Sequence, residues 1–147
     1  MRILQILPEL NVGGVETGTV DFAKFLRQHG HESVVVSNGG SMVAKLQSMG
    51  VKHYQLPVHR KNLFTMMAMI KKVRRIIEAE EIDIVHARSR VPAWIAYFAA
   101  RQTKASFITT CHGFYKNRWF SQVMGFSKLV IVPSESIGRH MTEDYGV

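Results

Sequence analysis

Short apolar runs alternate with longer amphipathic segments along almost the whole chain of 147 residues. The run SVVVS within 32–37 is rich in β-branched residues, which is typical of a strand buried on both faces. Residues 15–29 instead carry apolar side chains at helical spacing, and Gly30 follows at the place where helices commonly stop. This alternation predicts β-α-β units, which form a parallel sheet with helices on both faces.

The same reasoning assigns the rest of the chain. Strands are predicted at 2–7, 32–37, 51–56, 82–86, 106–110 and 129–132, and helices at 15–29, 42–49, 63–80, 92–102 and from 134 to a cap at Gly146. We therefore expect a Rossmann-like, doubly wound α/β domain, mostly parallel, that occupies residues 1–147. In the helix at 63–80, the residues expected to face the core are Leu63, Met66, Met67, Ile70, Val73 and Ile77.

The charge balance favours an acidic partner. The chain has 19 Lys and Arg against 11 Asp and Glu, a formal net charge of +8. Nucleic acid, anionic lipid and a phosphorylated substrate all fit that charge, but no nucleic-acid motif accompanies it, so we expect no nucleic-acid partner. The helix at 63–80 contains the basic run KKVRR and a wide apolar face. Such a helix is typical either of a membrane surface or of a solvated cationic face, and both interpretations stay open.

The cysteine and histidine content argues against several kinds of site. The single cysteine, Cys111, forms no intramolecular disulfide, indicates a reducing compartment and is expected in the core rather than as a nucleophile. No signal peptide and no apolar stretch of about 20 residues is visible, so we expect a cytoplasmic protein. The seven histidines are scattered, and no spacing predicts a metal site.

Ligands of parallel sheets bind beyond the carboxyl ends of the strands, and the first strand ends in a loop with Gly13 and Gly14. The dinucleotide pattern G-x-G-x-x-G fails because Val15 stands at its middle glycine, and no Lys follows Gly18 as a P-loop requires. These failures disfavour a nicotinamide-dependent oxidoreductase. Two interpretations remain equally open: helix N–H groups that hold an anion, or a tight turn that needs a positive φ. In either case, the negative charge of Glu16 near the helix start interacts favourably with the helix dipole.

Two further strand ends carry polar side chains. His112 lies in CHGFY after the fifth strand, where its imidazole is suited to contact a substrate hydroxyl or phosphate, although a histidine bonded to backbone is the ordinary alternative. Arg88 and Arg90 follow the fourth strand, where guanidinium groups can bind phosphate or carboxylate in pairs of hydrogen bonds. Simple surface solubility explains these two arginines equally well.

Five motifs then occur in a specific order. They are ILPELNVGGVE, DFAKFLRQHGHESVVVS, DIVHARSRVPAWIA, TTCHGFY and VIVPSESIGRHM. Together they resemble the N-terminal half of a GT-B glycosyltransferase of the retaining family 4 type, and the resemblance runs over the whole chain. Gly-Gly-x-Glu and His-Gly-x-Tyr are the most specific parts of it.

The resemblance implies an enzyme in which two Rossmann-like domains face each other across a cleft. The N-terminal domain mainly binds the acceptor, the C-terminal domain binds the nucleotide, and no catalytic metal is needed. Gly13, Gly14 and Glu16 would then lie at the donor diphosphate, and His112 would contact the transferred sugar as the catalytic candidate. Residues expected to bind substrate are Arg88, Arg90, Gly113, Tyr115, Ser134 and Glu135.

The expected partners follow from the same resemblance. A nucleotide-sugar would be the co-substrate, and no other cofactor is expected. The acceptor would be a glycan or a lipid-linked molecule of the cell-surface polysaccharide or lipopolysaccharide type, at the inner face of a membrane whose anionic surface would suit the basic helix. The family's C-terminal domain carries a signature of two glutamates eight residues apart with basic residues upstream. We expect that domain to be absent from these 147 residues, and the 147 residues to be inactive without it. The alternative is a stand-alone basic module that binds an anionic membrane or a protein partner.

Overall fold

A computed structural model describes all 147 residues, and its centre is one six-stranded sheet in which every pairing is parallel. The strands are β1 (Arg2–Ile6), β2 (Glu32–Ser37), β3 (Lys52–Gln55), β4 (Ile84–Ala87), β5 (Ser106–Thr110) and β6 (Val130–Ile131). The helices are α1 (Gly14–Gln28), α2 (Val43–Ser48), α3 (Leu63–Ala79), α4 (Arg90–Ala100), α5 (Arg118–Ser121) and α6 (Glu135–Tyr145). The spatial strand order is β3-β2-β1-β4-β5-β6, so the predicted doubly wound fold is confirmed.

Residues alternate between two apolar layers along the central strands. Leu4 and Ile6 of β1 face the larger layer, which α3 and α4 cover with side chains such as Val73 and Ile95. The opposite face is covered by α1 and α2, and its buried residues are Leu7, Leu10, Val20, Ala23, Val35, Leu46 and Val51. Because both faces are covered, the central strands β1 and β2 are buried along nearly their whole length, whereas the edge strand β3 is only partly buried.

The helix ends explain several of the boundaries. Asn62 caps α3 by accepting a hydrogen bond of 3.1 Å from the Thr65 amide, and Ser134 caps α6 by accepting one from the Ile137 amide. Gly146 ends α6 in the left-handed region, with a φ of 68°. These capping residues make the ends of α3 and α6 predictable from local sequence alone.

Two sequence predictions about helices need correction. Leu63 and Met67 were expected to face the core but are exposed, because the core covers only the side of the first turns that carries Met66 and Met69. The segment 118–125, where no element was predicted, forms α5 followed by a 3₁₀ turn over Gln122–Gly125. Both pieces are only four residues long, too short to show helical periodicity.

The two longest helices, α1 and α3, each contain several charged residues. No helix is both long enough and apolar enough to span a bilayer.

Cys111 is fully buried directly after β5, as expected of a core thiol.

Candidate functional site

Polar residues gather where β1 and β4 lie side by side. From this pair the chain leaves in opposite directions, since β1 connects toward β2 and β4 toward β5. Open α/β sheets bind ligands in the crevice outside the carboxyl ends of such a strand pair. The loop from Leu7 to Gly13 follows β1, and Arg88 follows β4 at the same edge.

The buried side chain of Gln5 in β1 holds Arg88 through a hydrogen bond. The Gln5 amide donates a hydrogen bond of 3.0 Å to the Thr19 carbonyl in α1, and its oxygen accepts one of 3.1 Å from Nη1 of Arg88. Burial lowers the pKa of the Arg88 guanidinium and Glu16 opposes that shift, but an arginine side chain stays charged in proteins. The positive charge therefore has a defined position at the start of α1.

Gly18 makes room for that guanidinium. A Cβ atom at residue 18 would lie 3.2 Å from Nη2 of Arg88, tighter than an ordinary contact. Gly18 sits inside α1, where glycine costs about 1 kcal/mol relative to alanine. Close packing against Arg88 is therefore the structural reason for this helical glycine.

Two histidines flank Arg88. His86 is buried opposite Gln5 in the sheet register, and its Nε2 lies 2.6 Å from the Thr110 hydroxyl. Burial, and then the charges of Arg88 and His112, lower the pKa of His86 to about 4. Burial and Arg88 also lower the pKa of His112, against the opposing effect of Glu16. Both imidazoles are therefore neutral near pH 7, with one nitrogen able to donate and the other able to accept.

Three atoms of this group lack hydrogen-bond partners. They are Nδ1 of His86, Nε of Arg88 and Nε2 of His112, all shielded from solvent. Buried polar atoms are paired in the great majority of cases, so three unpaired ones on neighbouring residues mark a place where hydroxyl or phosphate groups of a ligand can bind. The sequence analysis singled out Arg88 and His112. It missed Gln5 and His86 as members of the group, although a glutamine inside an apolar strand is a detectable signal.

The two glycines at the start of α1 do not need a positive φ. Gly13 is the N-cap residue in extended conformation (φ −174°, ψ 169°), and neither it nor Gly14 occurs among the glycines with positive φ. The interpretation as a turn that requires φ > 0 is therefore wrong. A Cβ atom at Gly14 would meet no heavy atom within 4 Å, whereas one at Gly13 would collide with the Glu16 carboxylate at 2.3 Å. The N-terminus of α1 is thus open beside Gly14 and covered by the Glu16 carboxylate beside Gly13.

A second group lies on the loop after β5. The Arg90 guanidinium carbon is 4.9 Å from the centroid of the Tyr115 ring, and its Nη1 is 3.4 Å from the Ser121 hydroxyl. Burial raises the pKa of the Tyr115 phenol, which keeps it protonated. Gly113 accepts a hydrogen bond from the Cys111 thiol at 3.3 Å. Arg90 and Tyr115 are therefore in contact, and the substrate-binding role expected for Arg90, Gly113 and Tyr115 stays a prediction.

Two residues that the sequence analysis missed position this loop. His140 of α6 accepts a hydrogen bond of 3.2 Å from the Tyr115 amide, and its other ring nitrogen lies 2.7 Å from the Asp144 carboxylate. The Tyr145 hydroxyl donates to the Tyr115 carbonyl at 3.2 Å. Nothing in the local sequence signals these contacts, because they cross about 30 residues.

Ser134 and Glu135 stand apart from both groups. Ser134 caps α6 and contacts the Ser136 hydroxyl at 3.0 Å, while Glu135 is exposed with its carboxylate 3.9 Å from Arg139. These contacts lie within the first turns of α6. A substrate-binding role for these two residues stays a prediction.

No group of three or more His, Cys, Asp or Glu side chains is arranged to hold a metal ion. The polar atoms at the β1–β4 edge instead include a guanidinium, neutral imidazoles and the N-terminus of a helix. Such groups donate hydrogen bonds to anions and hydroxyls.

Comparison with known proteins adds a family and a set of similar structures. A family model described as Glycosyltransferase Family 4 matches residues 12–147. The structure of a glycosyltransferase from Rickettsia africae is 37% identical to this chain, with a TM-score of 0.86. The match covers 99% of this chain and 40% of that one. No protein with a curated description matches.

Two further structures show the same fold at lower identity. Anabaena Alr3699/HepE in complex with UDP is 17% identical with a TM-score of 0.78, over 98% of this chain and 41% of that one. The apo form of the lipopolysaccharide outer core galactosyltransferase WaaB is 14% identical with a TM-score of 0.75, over 100% of this chain and 43% of that one. This chain thus spans about two fifths of the length of these structures.

Proposed function

The chain belongs to glycosyltransferase family 4, and from that premise we propose that it is the acceptor-side domain of a retaining glycosyltransferase. The enzyme would move a hexose-type sugar from a nucleotide-sugar to a glycan or lipid-linked acceptor. The HepE structure contains UDP, and WaaB is by description a lipopolysaccharide galactosyltransferase. These two relatives support a nucleotide-sugar donor and an acceptor of the cell-surface polysaccharide or lipopolysaccharide type.

The observation that carries the proposal is the set of three unpaired polar atoms on His86, Arg88 and His112. A sugar diphosphate offers both phosphate oxygens and hydroxyls, and these satisfy a guanidinium and two imidazoles at once.

Each group has a role in stabilising the leaving diphosphate or holding the sugar. As the sugar–phosphate bond breaks, negative charge grows on the diphosphate, and the Gly13–Gly14 end of α1 together with Arg88 is suited to stabilise that charge. The Glu16 carboxylate would swing away from Gly13 when the anion binds. His112, neutral near pH 7, would donate a hydrogen bond to the transferred sugar.

The acceptor would bind on the side of the second group. Arg90, stacked on Tyr115, presents donors to hydroxyl or phosphate groups of an acceptor. We expect the contacts to the donor nucleotide to come from a second, nucleotide-binding domain, and these 147 residues to transfer no sugar when assayed alone. We also expect transfer without a metal, at the cytoplasmic face of a membrane.

Nuclear magnetic resonance titration of the isotope-labelled chain tests the proposal, because it detects weak binding. UDP-glucose should shift the signals of Gly13, Gly14 and His112 weakly, and Arg88→Gln should reduce those shifts. Arg101→Gln is a matched control, since Arg101 is exposed at the far end of α4. The proposal fails if nucleotide-sugars and oligosaccharides leave this edge unshifted, or if a nicotinamide dinucleotide shifts it instead. Tight binding of UDP-glucose would contradict the expected need for a second domain.

A further inference from the structure

The first turn of α3 exposes a cluster of large apolar side chains. Leu63 is 68% exposed, Phe64 is 82% exposed and Met67 is 55% exposed. Residues at these spacings share one face of a helix, so the three side chains form a single apolar surface. Met66 of the same helix packs against the core and Met69 is buried, so the exposed side chains lie on the part of the first turns that the core does not cover.

A tryptophan from a distant part of the chain extends this surface. Trp119 of α5 is 77% exposed. Its neighbour Phe120 lies with its ring centroid 6.0 Å from Nζ of Lys61, two residues before α3 begins. The start of α3 and α5 are therefore adjacent. We call Leu63, Phe64, Met67 and Trp119 the docking patch.

Most formal charges near the docking patch are positive, and the exception is the Asp144 carboxylate, which lies 3.6 Å from Arg118 beside Trp119. No Asp or Glu occurs between Glu32 and Glu78, or between Asp83 and Glu135. Arg60 and Lys61 precede the patch along the chain, and Lys71 continues its stripe one turn after Met67. The basic residues here without an ion pair are Arg60, Lys61, Lys71, Lys72 and Arg75.

The combination of apolar and basic side chains distinguishes between kinds of partner. The apolar side chains of the docking patch are each more than half exposed, and basic residues lie beside them. Nucleic acid would use the lysines and arginines but would leave Leu63, Phe64 and Met67 in water. A bilayer with anionic headgroups satisfies both sets, because its charged layer lies directly above an apolar one.

We propose that the docking patch inserts into the interface of a membrane containing anionic lipids, while Lys61 and Lys71 bind the headgroups around it. The surrounding contacts connect this surface to the candidate site. Nε1 of Trp94 in α4 donates a hydrogen bond of 2.9 Å to the Phe120 carbonyl, and Arg90 reaches Ser121 at the end of α5. Membrane binding does not require the proposed function, since the patch exists whatever reaction the site performs.

Vesicle flotation measures this binding without any sugar transfer. The chain is mixed with vesicles of phosphatidylcholine alone or with phosphatidylglycerol added. We expect binding only to the vesicles that contain phosphatidylglycerol, and weaker binding as salt rises. Phe64→Ser and the double variant Lys61→Glu/Lys71→Glu should each lower the partition coefficient roughly tenfold.

Matched controls come from α1, on the other face of the sheet. Phe25→Ser changes another exposed phenylalanine, and Lys24→Glu changes an exposed lysine, so both should bind vesicles like the wild type. Thermal unfolding of every variant should match the wild type, because the changed side chains are exposed. Acrylamide should quench wild-type tryptophan fluorescence less when anionic vesicles are present, and Trp119→Leu should lose most of that protection.

Several results would overturn the proposal. Equal binding to neutral and anionic vesicles would exclude the contacts of the lysines with anionic headgroups. If the chain bound neither kind of vesicle, a membrane would be excluded as the partner of the patch. If Phe64→Ser bound like Phe25→Ser, the attraction would be charge alone. Another such result is a chain that binds no vesicles but forms a dimer that Phe64→Ser disrupts. A second copy of the chain would then be the true occupant of the patch. None of these outcomes depends on whether the chain takes part in glycosyl transfer.

Discussion

The side-chain oxygen of Gln5 accepts a hydrogen bond of 3.1 Å from Nη1 of Arg88, a contact between residues 83 positions apart in the chain. Gln5 is fully buried in β1, and Arg88 follows β4 at the carboxyl edge of the sheet. The same glutamine donates to the Thr19 carbonyl of α1. One amide group therefore sets the distance between the charged guanidinium and the helix whose N-terminus faces the candidate site.

Replacing Gln5 with methionine should loosen this arrangement. Gln5→Met keeps the side-chain volume but removes both hydrogen bonds, which leaves a charged donor of Arg88 without its acceptor. We expect the free energy of unfolding to fall by about 2 kcal/mol, measured by urea denaturation. Gln28→Met, at the exposed end of α1, is the control and should change it by less than about 0.5 kcal/mol. An unchanged stability for Gln5→Met would mean that the Gln5–Arg88 contact contributes little.

The substitution Gly18→Ala should weaken ligand binding while changing the stability of the fold little. Alanine favours the helix by about 1 kcal/mol, but its Cβ would lie 3.2 Å from Nη2 of Arg88 and push the guanidinium aside. We expect thermal stability to change little and the shifts induced by UDP-glucose to weaken. Gly138→Ala in α6 meets only Val132 at 3.5 Å and should leave those shifts as they are. Wild-type shifts in Gly18→Ala would show that Arg88 tolerates the methyl group.

Acid should destabilise the fold through His86. Its pKa is 6.5 in the unfolded chain and about 4 in the folded one, so between these values the unfolded state binds more protons. This contribution is complete above pH 6.5 and is lost as pH falls toward 4, by about 3 kcal/mol in all. Denaturation at a series of pH values should show a weaker pH dependence for His86→Gln than for the wild type. The exposed His29→Gln should keep the full dependence, and an identical curve for His86→Gln would exclude this origin.

His140 should protect one backbone amide. The Tyr115 N–H donates to the His140 ring, so His140→Ala removes its acceptor and should speed hydrogen exchange at Tyr115 by about tenfold. Exchange at the β1 and β4 amides should stay unchanged, because those amides belong to the sheet. Glu143→Ala, an exposed change in the same helix, is the control. Unaltered exchange at Tyr115 would show that other contacts hold this loop.

Cys111 should be inert while the chain is folded. The thiol is fully buried, and burial raises its pKa, so little reactive thiolate is present and reagents cannot reach it. We expect a thiol-specific reagent to label the chain completely in denaturant and only slowly in native buffer. Fast labelling of the folded chain would contradict the burial of Cys111.

Most of the secondary structure could be predicted because its causes are local. The strand at 32–37 was placed at its observed bounds from its β-branched run, and α6 was predicted from its capping residues Ser134 and Gly146. The start of α3 was predicted at its observed position, but the predicted burial of Leu63 and Met67 was wrong, because periodicity shows which residues share a helix face and not how much of that face the core covers. Leu63 and Met67 lie on an apolar face that continues past the edge of the core.

The residues of the candidate site likewise fall into two sets, those that the sequence predicted and those that it did not. The sequence identified Gly13, Arg88 and His112 at strand ends, since chain neighbours determine where a strand stops. It did not identify Gln5, His86 or His140, because their partners lie 14 to 83 residues away. For these residues, identity alone does not distinguish a side chain buried for packing from one that positions another group.

By itself, then, the sequence determined the order of strands and helices and placed polar residues at the carboxyl edge of the sheet. It also excluded the dinucleotide-binding and P-loop patterns. The tertiary structure decided which polar residues meet. That outcome depends on β1 pairing with β4 in a register that sets Gln5 beside His86, and on α1 lying across them. Strand pairing and register arise from packing of the whole core, so the hydrogen bonds of Arg88 and the lowered pKa of His86 exist only once the sheet has formed.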